Sequence, residues 1–167
     1  MGGKSLKIFG SRGFTLTELL VVVFIIALIS GSFLASFWRG QDQYYVAKAA
    51  QKLAADLRRA QSLALAGKMQ GATAPAGYGL YAPSAGQYVI FYNTDASKVY
   101  GAASVTLETV VLEKAALSPS GANVFFVPPD PTTYLNGSNT GSQTLTIAGT
   151  NNSKSVTVSV GGRIDID

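Results

Sequence analysis

Glu18 is the residue whose type and place ask most directly for chemistry. It is the single ionisable group between Phe14 and Trp38, and it stands before the run Leu19 to Ile29, in which every residue is apolar. A carboxylate in an apolar medium is costly. Insertion scales charge an acid at the centre of a membrane helix about 2.5–3.5 kcal/mol, and less toward the end. Such a group is expected either to meet a counter-charge or to sit where lipid headgroups reach it. Other candidates are few. The chain has no His and no Cys, which removes the commonest general base, thiol nucleophiles, thiolate metal sites and disulfides. Asp95, Glu108, Glu113, Asp130, Asp165 and Asp167 are scattered. Asp165 and Asp167 form the closest pair and would share one face of a strand, but a solvated acidic end is the simpler reading than a Ca²⁺ site. No Ser lies in a nucleophile-elbow setting, so the sequence predicts no catalytic residue, no metal and no cofactor.

The element that positions Glu18 is long and apolar. Residues 14–38 as a helix would rise about 37 Å, enough to cross a hydrocarbon core of about 30 Å with some tilt. Lys4, Lys7 and Arg12 precede it with no acidic residue, so the positive-inside rule leaves the N-terminus in the cytoplasm and sends the rest across the membrane. A secretory signal peptide, with Ser30, Gly31 and Ser32 after its apolar core, is the rival reading. Glu18 argues against it, because an ordinary signal has no use for an acid there.

Beyond Trp38 the pattern becomes amphipathic. Val46, Ala50, Leu53, Leu57, Ala60 and Ala64 step by four and three, while Lys48, Lys52, Asp56 and Arg59 fall on other faces. That spacing predicts a helix over 39–67 lying against a core, stopped at Gly67 and joined without a proline to residues 14–38. Residues 70–167 read as a β-rich head. Tyr78 to Tyr81 and Gln87 to Tyr92 form a hairpin, Val105 to Leu112 and Val124 to Val127 are further strands, and Thr144 to Ile147, Ser155 to Val160 and Arg163 to Ile166 close the chain. Gly77-Tyr78-Gly79 lacks the strand-to-helix setting of a dinucleotide loop and is assigned to the hairpin. The stretch from Pro128 to Ser142 is broken by proline, glycine and asparagine and is predicted to be an irregular loop. The fold class is therefore α+β, with a long N-terminal helix, membrane-spanning in its first half, packed on antiparallel strands.

Composition gives a polyanion-binding role no support, and DNA capture for uptake, with Arg163 as the contact, stays as the alternative. The chain carries 13 Lys plus Arg against 9 Asp plus Glu, a net of +4, and three of the cations precede Gly13. The remainder is close to neutral, whereas nucleic-acid binders concentrate basic charge.

A short basic leader ending in Gly13, then Phe14, then Thr15-Leu16-Thr17-Glu18-Leu19-Leu20 opening an apolar helix, resembles the class III signal of type IV pilins and type II secretion pseudopilins. The resemblance implies that residues 1–13 are a leader removed by prepilin peptidase between Gly13 and Phe14. It also implies that Phe14 is N-methylated and that Glu18 acts in assembly by meeting the N-terminal amine of a neighbouring subunit. The implied partners are the peptidase, other pilin or pseudopilin subunits and an inner-membrane assembly platform. The implied location is the inner membrane, then a periplasmic or extracellular filament. The Phe-Phe-Val-Pro segment and the closing Val-Thr-Val-Ser-Val-Gly-Gly-Arg-Ile are similar to the GspH/FimT group of minor pilins and pseudopilins. The lack of cysteine tilts the choice from a disulfide-clamped major pilin of the filament shaft toward a minor subunit. DNA-binding members of the group carry Gly-Arg-x-Arg in the last strand. Here Arg163 matches the first Arg and Asp165 replaces the second, which argues against nucleic acid as a partner.

Overall fold

The computed structural model describes residues 13–129 and 132–167, giving for 32–39 the backbone alone. The chain divides into a first unit ending at Trp38 and a second from Arg39 to Asp167. The basic leader residues Lys4, Lys7 and Arg12 lie outside the described residues, as does Asp130.

Helix α1 runs Leu16–Leu65. Thr15 caps its start, its hydroxyl accepting the Glu18 amide at 3.2 Å. This is the Thr-x-x-Glu spacing of a capping box, in which a threonine oxygen satisfies a main-chain donor that has no partner inside the helix. The end is equally specific. Lys68 N–H donates to the Leu63 carbonyl and Gly67 N–H to that of Ala64, and Gly67 has φ +54°. These two bonds make a Schellman stop, and glycine takes the left-handed position without a Cβ penalty. In the first unit every described side chain from Gly13 to Gly31 is exposed. Among the described residues no helix is long and apolar enough to cross a membrane. The unbroken apolar run whose side chains are placed, Leu19 to Ile29, amounts to about 16 Å of helix, roughly half a hydrocarbon core.

In the second unit the predicted stripe is the core face. Val46, Ala50, Leu53, Leu57, Ala60 and Ala64 are all buried. They pack with residues of two antiparallel sheets in a single cluster, from Leu80, Ile90, Val124 and Phe126 in one to Leu145, Ile147, Val156 and Val158 in the other. The strands are β1 (Gly77–Ser84), β2 (Gln87–Asn93), β3 (Ser104–Val111), β4 (Ala116–Ser118), β5 (Asn123–Val127), β6 (Thr132–Leu135), β7 (Ser142–Ala148), β8 (Ser153–Ser159) and β9 (Ile164–Ile166). The first sheet has the order β3-β2-β1-β5-β6 and the second β4-β7-β8-β9. Gly77 and Gly79 sit in β1 as expected of a hairpin. A Cβ on Gly79 would stand 2.9 Å from both the Phe91 and Phe125 rings, so these two rings take the space that a side chain would fill. The rings form a second, smaller core on that face of the sheet, where Tyr100 meets Phe91 edge-on and stacks on Tyr81.

Two sequence expectations are corrected. The irregular loop over 128–142 contains β6, which pairs with β5 from Val124↔Leu135 to Val127↔Thr132. Thr133 and Leu135 alternate inward, and four residues between proline and Asn-Gly are too short for the period to stand out. Asp56, assigned to a polar helix face, is buried. Its carboxylate accepts the Tyr88 hydroxyl at 2.6 Å and the Lys52 ammonium at 3.1 Å. Burial first, then Asp56 itself, pushes the Tyr88 phenol far above its ordinary range. Tyr88 is therefore a permanent donor.

A second carboxylate anchors the closing hairpin. Asp42 on α1 accepts the Thr150 and Asn151 amides at 2.8 and 2.9 Å and the Asn152 side chain at 3.1 Å, all at the β7–β8 turn. The Asn151 and Thr150 amides hold its pKa below the usual carboxylate value. A depressed folded-state pKa gives stability that is present above the unfolded value of about 3.9 and is lost as pH falls through the folded one. We therefore expect Asp42→Ala to remove hydrogen-exchange protection at the Thr150 and Asn151 amides at neutral pH while leaving Val156 protected. Acidification below the carboxylate range should do the same to the unaltered chain. Exchange read by NMR or mass spectrometry checks both.

Candidate functional site

The predicted processing residues lie at the start of the described chain. Gly13 precedes the Thr15 cap, and a Cβ built there meets nothing within 4 Å. Among the described residues nothing crowds a side chain at position 13. Phe14 is 72% exposed, and the exposed apolar surface continues through Leu16, Leu19, Leu20, Val21, Val22, Val23, Phe24, Ile25, Ile26, Leu28 and Ile29. A continuous apolar surface of this size is not left to water and needs lipid or protein around it.

Glu18 sits at the third position of the helix, exposed beside this surface. No side chain among the described residues forms an ion pair with it. The helix N-terminus supplies a partial positive charge that favours an acid there. Charge and hydropathy alone do not reveal this capping position; the Thr15-x-x-Glu18 spacing is the signal that could have found it. The cap explains how an acid is tolerated at this point of the helix. It leaves the carboxylate oxygens facing outward, available to a cation supplied by another molecule.

At the other end of the chain Arg163 lies just before β9, after Gly162 with φ +77°. Its Nε is 2.7 Å from the Asp165 carboxylate, with both side chains substantially exposed. Asp165 thus neutralises Arg163. The strand itself is held to α1, since Arg58 donates to the Ile164 carbonyl and Gln61 to that of Gly162, at 3.1 and 2.9 Å.

Two of the remaining carboxylates are engaged separately. Asp95 accepts the Ser97 amide, and Glu108 pairs with Arg59 at 2.7 Å and Lys52 at 3.9 Å. Among the described residues no three His, Cys, Asp or Glu side chains gather as metal ligands would. A groove of about 280 Å³ runs between α1 and β3, lined by Tyr45, Lys48, Ala49, Lys52 and residues 110–113. It brings no nucleophile and base together. Asp42 and Asp56, the two carboxylates with the richest hydrogen bonding, were absent from the sequence-derived candidates, and both act in packing.

Residues 8–34 match the family model for the prokaryotic N-terminal methylation motif. That motif supports a type IV pilin-like protein processed by prepilin peptidase, and implies a membrane-anchored subunit that assembles with other pilin subunits. No curated relative and no solved structure matches the chain.

Proposed function

We propose that this chain is a minor pseudopilin or pilin of the GspH/FimT kind, a structural subunit of a type II secretion or type IV pilus filament and not an enzyme. Residues 14–38 anchor it in the inner membrane, where an assembly platform draws subunits into the filament, and residues 39–167 form the part presented outside. The observation that carries this reading is the combination at the N-terminus. A glycine with no described neighbour within 4 Å is followed by a capped helix whose described side chains as far as Gly31 are exposed and uncharged but for Glu18, an acid with no ion-pair partner among the described residues. In an apolar bundle of such helices Glu18 is stabilised only by a cation from a neighbouring copy, and the freed Phe14 amine is the cation that processing creates. The Arg163–Asp165 pair favours this structural role over capture of DNA, since a phosphate would have to compete with a carboxylate already seated on the arginine.

The test separates processing from assembly. Glu18→Ala leaves Gly13 and the Thr15 cap in place, so its mature mass should differ from the parent's only by the substitution. Its abundance in sheared filaments or co-purified pilin complexes should fall about tenfold or more, the equivalent of about 1.4 kcal/mol of lost interaction. Undiminished incorporation of the variant would contradict the assigned role of Glu18.

A further inference from the structure

Along the groove between α1 and β3 the charges are not all paired. Lys52 and Arg59 are taken by Asp56 and Glu108. Lys48 and Glu113 line the same groove, yet neither forms an ion pair among the described residues. A further cation, Lys114, is held at the rim, its ammonium 4.9 Å from the centre of the Tyr45 ring that lines the groove. Lys114 has φ +53°, a left-handed conformation that residues with a Cβ seldom adopt, so the backbone carries strain where it presents this ammonium. Tyr44, 64% exposed, stands edge-on to Tyr45 at 5.9 Å. The rest of the lining is apolar, from Ala49, Val110, Val111 and Leu112.

We propose that this groove takes the headgroup of a zwitterionic phospholipid, phosphatidylethanolamine, its phosphate met by Lys48 and Lys114 and its ammonium by Glu113. The charges select this occupant. Two unpaired cations call for an anion, but the unpaired acid in the same lining repels a bare one, and a headgroup bearing both signs satisfies all three. The apolar lining suits the glycerol and first acyl carbons, which a free phosphate compound lacks. Place in the chain agrees. Tyr45 follows Trp38 by seven residues, which reach at most about 25 Å in any conformation, so a membrane headgroup is at hand at high local concentration. Tyrosine is the residue type that gathers at membrane–water interfaces, and lysine reaches from a helix end to the headgroups. The proposal rests on the reading of residues 14–38 as a membrane anchor.

The full chain in detergent micelles, offered phosphatidylethanolamine, phosphatidylcholine or phosphatidylglycerol of one acyl composition, reads the site through native mass spectrometry. Phosphatidylethanolamine should stay bound where the other two are lost. Lys114→Gly keeps the left-handed backbone without strain and removes one cation, and Lys48→Gln removes the other. Together they should cut retention about tenfold with circular dichroism unchanged. Glu113→Gln should erase the preference for phosphatidylethanolamine over phosphatidylglycerol, and Lys68→Gln, at an exposed lysine beyond the end of α1, should change nothing. Free phosphoethanolamine at the same concentration should not displace the lipid. Equal retention of the three lipids, parental retention by the double variant, an unchanged preference in Glu113→Gln, a loss as large in Lys68→Gln, or displacement by the free headgroup would overturn the proposal. Recovery of the chain in the membrane fraction reads the anchor separately and should be parental in every variant, so failure of the headgroup site is distinguishable from failure of the anchor.

Discussion

Replacing Gly13 by leucine should leave the chain as an unprocessed precursor, 13 residues longer than the mature form, with no change in how the rest of it folds. The expectation comes from what surrounds Gly13. A side chain there meets open space, the capping bond belongs to Thr15 and Glu18, and the core residues lie from Val46 onward. On the proposed processing, the cost of a larger residue therefore falls on the encounter with the peptidase, whose pocket takes a small residue before the cut. Gly13→Ala is the control and should still be cut. Immunoblotting of membranes would show the precursor accumulating in the leucine variant alone. A normally processed Gly13→Leu chain would mean that the cut lies elsewhere.

The second large effect is expected at the centre of the head. Leu57 is fully buried, in line with Leu53 and Ala60 on the face of α1 that packs on both sheets. Leu57→Ala removes methyl groups from a site enclosed by a rigid helix and two sheets, neither of which can collapse into the gap. The expected destabilisation is about 2–5 kcal/mol, since large-to-small core changes cost both the transfer term and the cavity. Denaturant unfolding should show a lower midpoint with an unchanged slope. A loss under about 1 kcal/mol would mean that the helix does not share its core with the sheets in the way described.

The parts of this architecture that depend on repeating patterns were legible in the residues. The helix stripe from Val46 to Ala64, the stop at Gly67 and the strands with clear apolar alternation all follow from periodicity and one glycine, and each is found. Two short elements were not legible, although the closing strand β9 was. Neither β4 nor β6 is long enough to display a period of two, and each is held by pairing to another strand. Asp56 was misplaced for a related reason. Its helical position is polar by type, and its burial depends on Tyr88, 32 residues away, offering a hydroxyl. The same holds for Asp42, whose donors arrive more than a hundred residues later. At the N-terminus the motif is plain in the sequence, because a peptidase must read it from a few adjacent residues. The cap is equally local, since the Thr15 hydroxyl and the Glu18 amide that it accepts lie within one helical turn.

The mass of the mature N-terminal peptide, taken from chain recovered from membranes, tests the class III processing most directly. The peptide should begin at Phe14 and carry one methyl group on its amine. A chain beginning near Ser32, as cleavage of an ordinary secretory signal would leave it, or one still beginning at Met1, would contradict that processing.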